Sequence, residues 1–310
     1  MYICYILGGG EPLCRLDLIY ELVETIKCYN IKGMITTNGT IFPEDLAIKM
    51  VNLHWDFIHF SIDGPDADTH DELRGVKGSF SKAIEAIQLL NYWKEKLFID
   101  KPSIEFNTVL SAKNYHTLPR IFELAKKFSI SHVTVIPMIM HSKKMQQLDL
   151  SRIPSDVLIK YLKEAKSTAE RLNIISNIGE LIEDYFNLSN SGSESTIQVI
   201  SFGQANKSNC SGDRIVRRDT GPFDSINCLK PWYHIVIRAN GDIGPCCNFQ
   251  ESECNILHES LQTIWFCNYF NKLREYMIKN QPPANCFKCG STLQSNENKL
   301  LVRKLKNLIG

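Results

Sequence analysis

The amino-acid sequence predicts an α/β chain built on a parallel, barrel-like sheet, followed by a small α+β domain rich in cysteine. Three observations carry that expectation. Short β-branched or aromatic runs alternate with amphipathic stretches from residue 1 to about residue 136. Turn-forming glycines stand where several of those runs end. Of the 11 cysteines, those at 228, 246, 247, 254, 267, 286 and 289 all lie in the last third of the chain.

In chain order, the expected strands are Tyr2–Leu7, Gly33–Thr37, Phe57–Ile62, Ser103–Leu110 and His132–Ile136. Helical patterns fall between them at about Leu16–Tyr29, Pro43–Leu53, Phe80–Lys94 and Thr117–Phe128. The last shows Leu118, Ile121, Leu124, Ala125 and Phe128 at the three- and four-residue spacing of one helix face. Such an alternation suits a parallel barrel or an open sheet, and both bind ligands at the carboxyl ends of their strands. The first strand begins at residue 2 and runs straight into a glycine-rich turn, so the sheet is expected to lack its first β-α unit.

The domain boundaries expected are 1–150 for the sheet, 151–227 for a helical connector and polar linker, 228–290 for the Cys-rich domain, and 291–310 for a C-terminal helix. The connector holds a helix over about Ser155–Leu172, then a Ser-, Asn- and Gly-rich stretch, Ser189–Asn227, with a basic spot at Arg214, Arg217 and Arg218. In the Cys-rich segment, His234–Arg238 and Ile243–Cys246 flank Asn240-Gly241, a dipeptide suited to a type I′ hairpin. A single helix is expected from about Leu261 to Lys279. His132 and His234 are expected to be packing residues of strands, and Cys4 and Cys28 to be buried small hydrophobes.

Composition narrows the function. With 35 Lys+Arg against 34 Asp+Glu, the net charge of +1 provides no basic field for a nucleic-acid partner. The apolar start, Met1–Leu7, has no basic flank and is too short for a signal peptide or a membrane span. The chain therefore reads as cytoplasmic, with reduced thiols. An odd number of unevenly spaced cysteines points to thiolates serving a metal rather than to a disulfide framework.

Two constellations carry chemistry. Gly8-Gly9-Gly10-Glu11-Pro12-Leu13 ends the first strand: glycines let backbone carbonyls approach a ligand, Glu11 adds negative charge, and Pro12 sets the exit. Carbonyls plus a carboxylate suit a cation such as an amino group, whereas a phosphate loop would want free N–H groups and a lysine. A plain strand-to-helix turn with a solvated Glu11 is the bland alternative. The second constellation is Cys228, Cys246, Cys286 and Cys289, in which a hairpin and a Cys-x2-Cys knuckle present four thiolates. Four thiolates suit zinc or an iron–sulfur cluster, and spacing alone favours zinc. Cys210, Cys254 and Cys267 have no partner at ligand spacing, and Cys247 sits beside a ligand on a strand and points to the other face.

The first half of the chain resembles the radical S-adenosylmethionine (SAM) superfamily. The resemblance rests on Gly9-Gly10-Glu11-Pro12, Thr36-Thr37-Asn38-Gly39, Phe60-Ser61-Ile62-Asp63-Gly64, Arg74-Gly75 with Gly78-Ser79-Phe80, and Asn107-Thr108-Val109, in this order. It implies a partial (β/α)6 radical SAM barrel lacking its first strand, with Gly9, Gly10, Glu11 and Pro12 at the methionine amino group. Asn38, Ser61, Asp63 and Asn107 become candidates for polar contacts to SAM. The last third resembles the SPASM/Twitch extension of that superfamily, through Cys-x12-Gly-x4-Cys, Asn255-Ile256 and Ser260-Leu261-Gln262-Thr263-Ile264-Trp265. This implies the shorter Twitch form, with one auxiliary [4Fe–4S] cluster on Cys228, Cys246, Cys286 and Cys289.

The family's Cys-x3-Cys-x2-Cys loop for the catalytic cluster has no counterpart, because Cys4, Cys14 and Cys28 lie ten and fourteen residues apart. The catalytic [4Fe–4S] cluster is expected only in a longer parent chain. The function implied is hydrogen abstraction by a 5′-deoxyadenosyl radical, then oxidation or modification of a peptide or sugar-like substrate, with a flavodoxin or ferredoxin as electron donor and no nucleic-acid or membrane partner. A non-catalytic iron–sulfur or zinc binding protein is the alternative.

Overall fold

The computed structural model describes residues 3–6, 10–138, 143–183, 228–246, 249, 252–279, 281, 283 and 286. The chain divides into two compact units, Met1–Gly203 and Gln204–Gly310. No helix among the described residues is long and apolar enough to cross a membrane. The linker with Arg214, Arg217 and Arg218, and the tail 291–310, lie outside the described residues.

The first unit is a six-stranded parallel sheet in sequential order: β1 (Ile3–Ile6), β2 (Lys32–Thr37), β3 (Phe57–Ser61), β4 (Ser103–Leu110), β5 (His132–Pro137) and β6 (Ile175–Ser176). The helices between them are α1 (Leu16–Cys28), α2 (Glu44–Asn52), α3 (Ala67–Arg74), α4 (Ser79–Leu97), α5 (Leu118–Lys127) and α6 (Ser155–Arg171). Sequential order and parallel pairing require a crossover in each link, and the amphipathic helices supply them. β4 alternates half-buried with fully buried positions along its length, so one face lies under the helices. That covered face brings Ile104 and Phe106 together with Leu46, Met50, Ile87, Ile121 and Leu162 in one apolar core.

Two features were not expected. The helix expected as a connector is α6, and it belongs to the sheet unit: it leads into β6, a sixth strand whose Ile175 and Ser176 pair with His132 and Val133. Two residues are too short for a periodic signal. The short helix α3 also lacks an apolar stripe, burying only His70. It forms because Asp66 accepts the Thr69 N–H as an N-cap and Gly75 closes it in the left-handed conformation (φ 68°).

The other face of β3, β4 and β5 carries a charged ladder in register: His59 opposes Glu105, and Glu105 lies beside His132. His59 Nε2 and His132 Nδ1 each stand 3.3 Å from Glu105 Oε2. His132 is therefore an ionic partner rather than a packing residue. Burial opposes ionisation of Glu105, but the hydrogen bonds and charges of His132 and His59 outweigh it and hold its carboxyl at about 2. The bond to Glu105 raises the His132 imidazole, against burial.

The second unit contains the hairpin β7 (Val236–Ile237) and β8 (Ile243–Gly244), antiparallel, then α7 (Leu261–Trp265) and α8 (Asn268–Ile278). The hairpin turn is not type I′. Gly241 alone has positive φ (86°), and its N–H donates to the Arg238 carbonyl at 2.9 Å, which makes a type I turn followed by a glycine bulge. His234 lies before the strand, with Nδ1 2.9 Å from the Pro245 carbonyl. The expected single helix is broken at Phe266–Cys267. Arg274 Nη1 donates to the Trp265 carbonyl at 2.8 Å and Asn271 Nδ2 to the Phe266 carbonyl at 3.0 Å, so side chains of α8 satisfy the end of α7.

Glu105, held below its ordinary 4.5, stabilises the fold above about pH 4.5, and that contribution is lost as pH falls towards about 2. His132, held above its ordinary 6.5, contributes below that pH, and its share fades as pH rises through the raised value. Glu105→Gln should therefore cost on the order of 2 kcal/mol at pH 6, after allowance for solvent screening, and should flatten the acid limb of a urea-denaturation profile between pH 5 and about 2. An unchanged acid limb would show that the ladder does not set it.

Candidate functional site

The carboxyl ends of β1 to β4 are stitched together by side chains that the sequence marks as polar exceptions at strand termini. Glu11, in extended conformation after Gly10, accepts the Leu13 N–H at 3.1 Å and so caps the short helical turn Pro12–Arg15. Its carboxylate also reaches the end of β2, accepting from Thr37 Oγ1 at 2.6 Å and the Asn38 N–H at 2.7 Å. Three acceptor positions are thus used, and a carboxylate has about four. A Cβ on Gly10 would meet nothing within 4 Å, so the chain is open at the residue before Glu11. Gly9 lies outside the described residues.

Asn38 turns its amide back on the chain, its Oδ1 accepting from Thr40 N and Thr40 Oγ1 at 2.8 and 2.7 Å. Gly39 follows at φ 73°, where a Cβ would stand 2.9 Å from the Ala83 Cα, so the turn admits only glycine. Ser61 and Asn107 are cross-strand partners on the half-buried face, and the Asn107 amide lies 3.4 Å from His59 Nδ1.

Asp63 sits deeper than the sequence implied. It is 6% exposed, its Oδ1 accepts the Val109 N–H at 2.8 Å, and its Oδ2 pairs with Arg74 Nε at 2.8 Å. Burial raises its carboxyl, while Arg74 and the Val109 N–H oppose that rise. Both oxygens are engaged within the protein, so Asp63 ties β3 to β4 and to α3. Ser61 and Asn107 remain as half-buried polar side chains at the strand ends.

Several residues that sequence reasoning missed hold this rim. The Asn114 side chain is fully buried; its amide donates to the Asp63 and Val109 carbonyls, both at 2.8 Å, and its oxygen accepts the Ser111 N–H at 2.7 Å. Asn177 bonds both the N–H and the carbonyl of Val135 at 2.8 Å. His70 is buried, and burial together with Arg74 lowers its imidazole to about 4, so it is neutral. A lone Asn in a loop gives no periodic signal; its meaning appears only when its partners are placed.

In the second unit, three of the four expected metal-ligating cysteines fall in two neighbouring apolar groups. Cys228 is buried among Leu229, Met277 and Trp232, and Cys246 among Phe249, Leu273 and Tyr269. Cys286 packs against both groups. Cys289 lies outside the described residues. Among the described residues no three His, Cys, Asp or Glu side chains close on one metal position. An apolar shell of sulfur donors nevertheless has the chemistry that an iron–sulfur cluster or a thiolate zinc site requires.

The cysteines of the first unit do not converge. Cys4 is half-buried in β1, where burial raises its thiol, while Cys14 and Cys28 are exposed. The expectation that Cys28 is a buried hydrophobe is therefore corrected: it is the last residue of α1, on the outer surface.

Comparison with known proteins follows the same division. The radical SAM superfamily matches residues 2–91, and SPASM, an iron–sulfur cluster-binding domain, matches residues 228–290. The AdoMet-dependent heme synthase of Methanosarcina barkeri is 33% identical over 122 residues, 39% of this chain and 33% of that protein. The mycofactocin maturase MftC of Mycolicibacterium smegmatis is 34% identical over 92 residues, 29% of this chain and 23% of that protein. The matched stretch thus spans a third or less of these relatives' length. Streptococcus suis SuiB bound to its precursor peptide SuiA has the same fold at a TM-score of 0.56 and 19% identity, over 93% of this chain and 58% of that one. anSMEcpe with bound AdoMet gives 0.56 and 18%, over 94% and 70%. The chain thus carries a radical SAM superfamily segment at residues 2–91 and a SPASM segment, an iron–sulfur cluster-binding domain, at residues 228–290.

Proposed function

We propose that the first unit binds SAM at the carboxyl ends of β1 to β4 and that the second unit holds one auxiliary [4Fe–4S] cluster on Cys228, Cys246, Cys286 and Cys289. The observation that carries the second half is Cys286, which packs against both of the groups that bury Cys228 and Cys246. The donor set is all thiol in an apolar surround, which lowers solvent access to a cluster and tunes its potential.

For the first half, Glu11 keeps one acceptor position and open space beside Gly10. That fits an ammonium group. Ser61 and Asn107 stand in the same sheet layer and present hydroxyl and amide groups to a ribose or carboxylate. Asn38 and Pro12 shape the turns on which the proposed site stands and, with Asp63, complete its candidate residues. When bound in an intact enzyme, SAM supplies a carbon-centred radical for hydrogen abstraction. The chain's own residues orient it: Glu11, locked to Thr37, cannot swing away, and preorganisation of this kind removes a reorganisation cost. The substrate class proposed is a peptide or sugar-like molecule, with a flavodoxin or ferredoxin delivering electrons. The protein is proposed to work in the cytoplasm.

Three measurements test these readings. Anaerobic reconstitution of the chain should yield about four iron and four sulfide per chain, and Ser at Cys228, Cys246 or Cys286 should lower both; one zinc without sulfide would leave the zinc-binding alternative instead. Equilibrium dialysis with SAM should show binding that Glu11→Gln weakens by about tenfold with circular dichroism unchanged; equal binding would remove Glu11 from the site. Because Cys4, Cys14 and Cys28 form no metal-holding group among the described residues, this chain with dithionite and SAM should form no 5′-deoxyadenosine, and its detection would overturn that part of the proposal.

A further inference from the structure

Cys254 and Cys267 lie thirteen residues apart, at no metal-ligand spacing, yet their sulfurs are 3.1 Å apart. That is about 1 Å beyond a disulfide bond. Neither is among the four cysteines assigned to the auxiliary cluster.

Both sulfurs are positioned by rigid backbone. The Cys254 carbonyl accepts the Ile243 N–H of β8 at 3.0 Å, and the Cys254 N–H donates to Ser252 Oγ at 3.0 Å. Cys267 is the N-cap residue of α8, in extended conformation (φ −68°, ψ 164°), and its side chain makes no cap hydrogen bond. Serine, threonine or aspartate at such a position would bond the helix N–H groups. The thiol instead turns to Cys254. This is the same place where the expected long helix breaks into α7 and α8.

The two sulfurs differ in access. Cys254 is 4% exposed, in a cluster with Ile243, Ile264 and Phe270, and Cys267 packs at its edge, half-exposed. Burial, then Cys267, Glu259 and Glu253 beside it, push the Cys254 thiol up to about 12. Cys267, the more accessible of the two sulfurs, lies at the amino end of an eleven-residue helix. Arg274, one face-repeat further along α8, stacks 4.7 Å over Trp265; burial lowers its guanidinium, and Cys267 opposes that.

We propose that Cys254 and Cys267 form a thiol–disulfide couple, oxidised by a low-molecular-weight disulfide and reset by a dithiol, that staples the β7–β8 hairpin segment to the start of α8. The Cys267 thiolate attacks one sulfur of the oxidant, whose S–S bond breaks and releases one small thiol. The Cys254 sulfur then displaces the second small thiol as it forms the Cys254–Cys267 bond, its proton leaving to water and onto the departing thiolate. Two protein thiols are oxidised by two electrons and the small disulfide is reduced to two thiols, so electrons and protons balance. The staple joins the segment after β8, which follows Cys246 in the chain, to the start of α8, which precedes Cys286.

The test uses the full chain, purified anaerobically and treated with oxidised glutathione or with dithiothreitol, then alkylated and digested. The expected result is one linked peptide joining Cys254 to Cys267 after oxidation, loss of two alkylatable thiols at those positions, and full return with dithiothreitol. Cys267→Ser should abolish the link and leave Cys254 mostly unmodified, because its buried thiol meets no oxidant. Cys254→Val, which keeps an apolar side chain in the cluster, should leave Cys267 as a mixed disulfide with glutathione. In the wild type, oxidation should raise Tm, and in either variant it should not. Free, fully alkylated Cys254 and Cys267 after oxidation, or a link from either to another cysteine in preference, would overturn the proposal.

Discussion

The pairing of backbone and side-chain polar groups at the carboxyl ends of parallel strands is the constraint on which the first unit depends. Those ends must leave the sheet, reverse into helices and still satisfy every buried N–H and carbonyl. Glu11 does this for β1 and β2, linking the glycine turn to Thr37 and Asn38. Asp63 and Asn114 do it for β3 and β4, and Asn177 for β5 and β6. The same stitches leave only part of their polar capacity over. Where capacity and open space coincide, beside Gly10 and along Ser61 and Asn107, the rim can take a ligand.

Charge inside the sheet obeys the same economy. Glu105 stays ionised at a half-buried position because two imidazoles on neighbouring strands face it at equal distance. Asp63 is deeper and has only Arg74 and one N–H, so burial prevails and its carboxyl is raised. Two carboxylates on adjacent strands thus shift in opposite directions. The number of partners decides which way desolvation is answered.

Among its described residues, the second unit shows a hairpin of two-residue strands and two short helices. A unit with so few ladder hydrogen bonds needs other staples. Cys286 packed against the two apolar groups that bury Cys228 and Cys246, and a separate close pair of thiols, are described groups suited to that purpose. Side-chain bonds from Arg274 to Pro231, Trp265 and Asn271 tie the helices to the segment before the hairpin.

Periodicity alone determined the parallel α/β class, the order of five strands and the positions of five helices, because alternation of period 2 and 3.6 reports which face each element buries. Cysteine spacing marked a thiolate metal segment and alone favoured zinc, and the resemblance it carries with the Asn255–Trp265 run pointed to iron–sulfur. Three-dimensional structure decided what no spacing shows. It engaged both oxygens of Asp63, set His132 against Glu105, placed Cys28 on the surface, broke the long helix at Cys267 and brought that thiol to Cys254. Each of those outcomes depends on a partner many residues away. A sequence records what a residue can do, but which neighbour it meets is settled only when the chain closes upon itself and every buried polar group must find a bond.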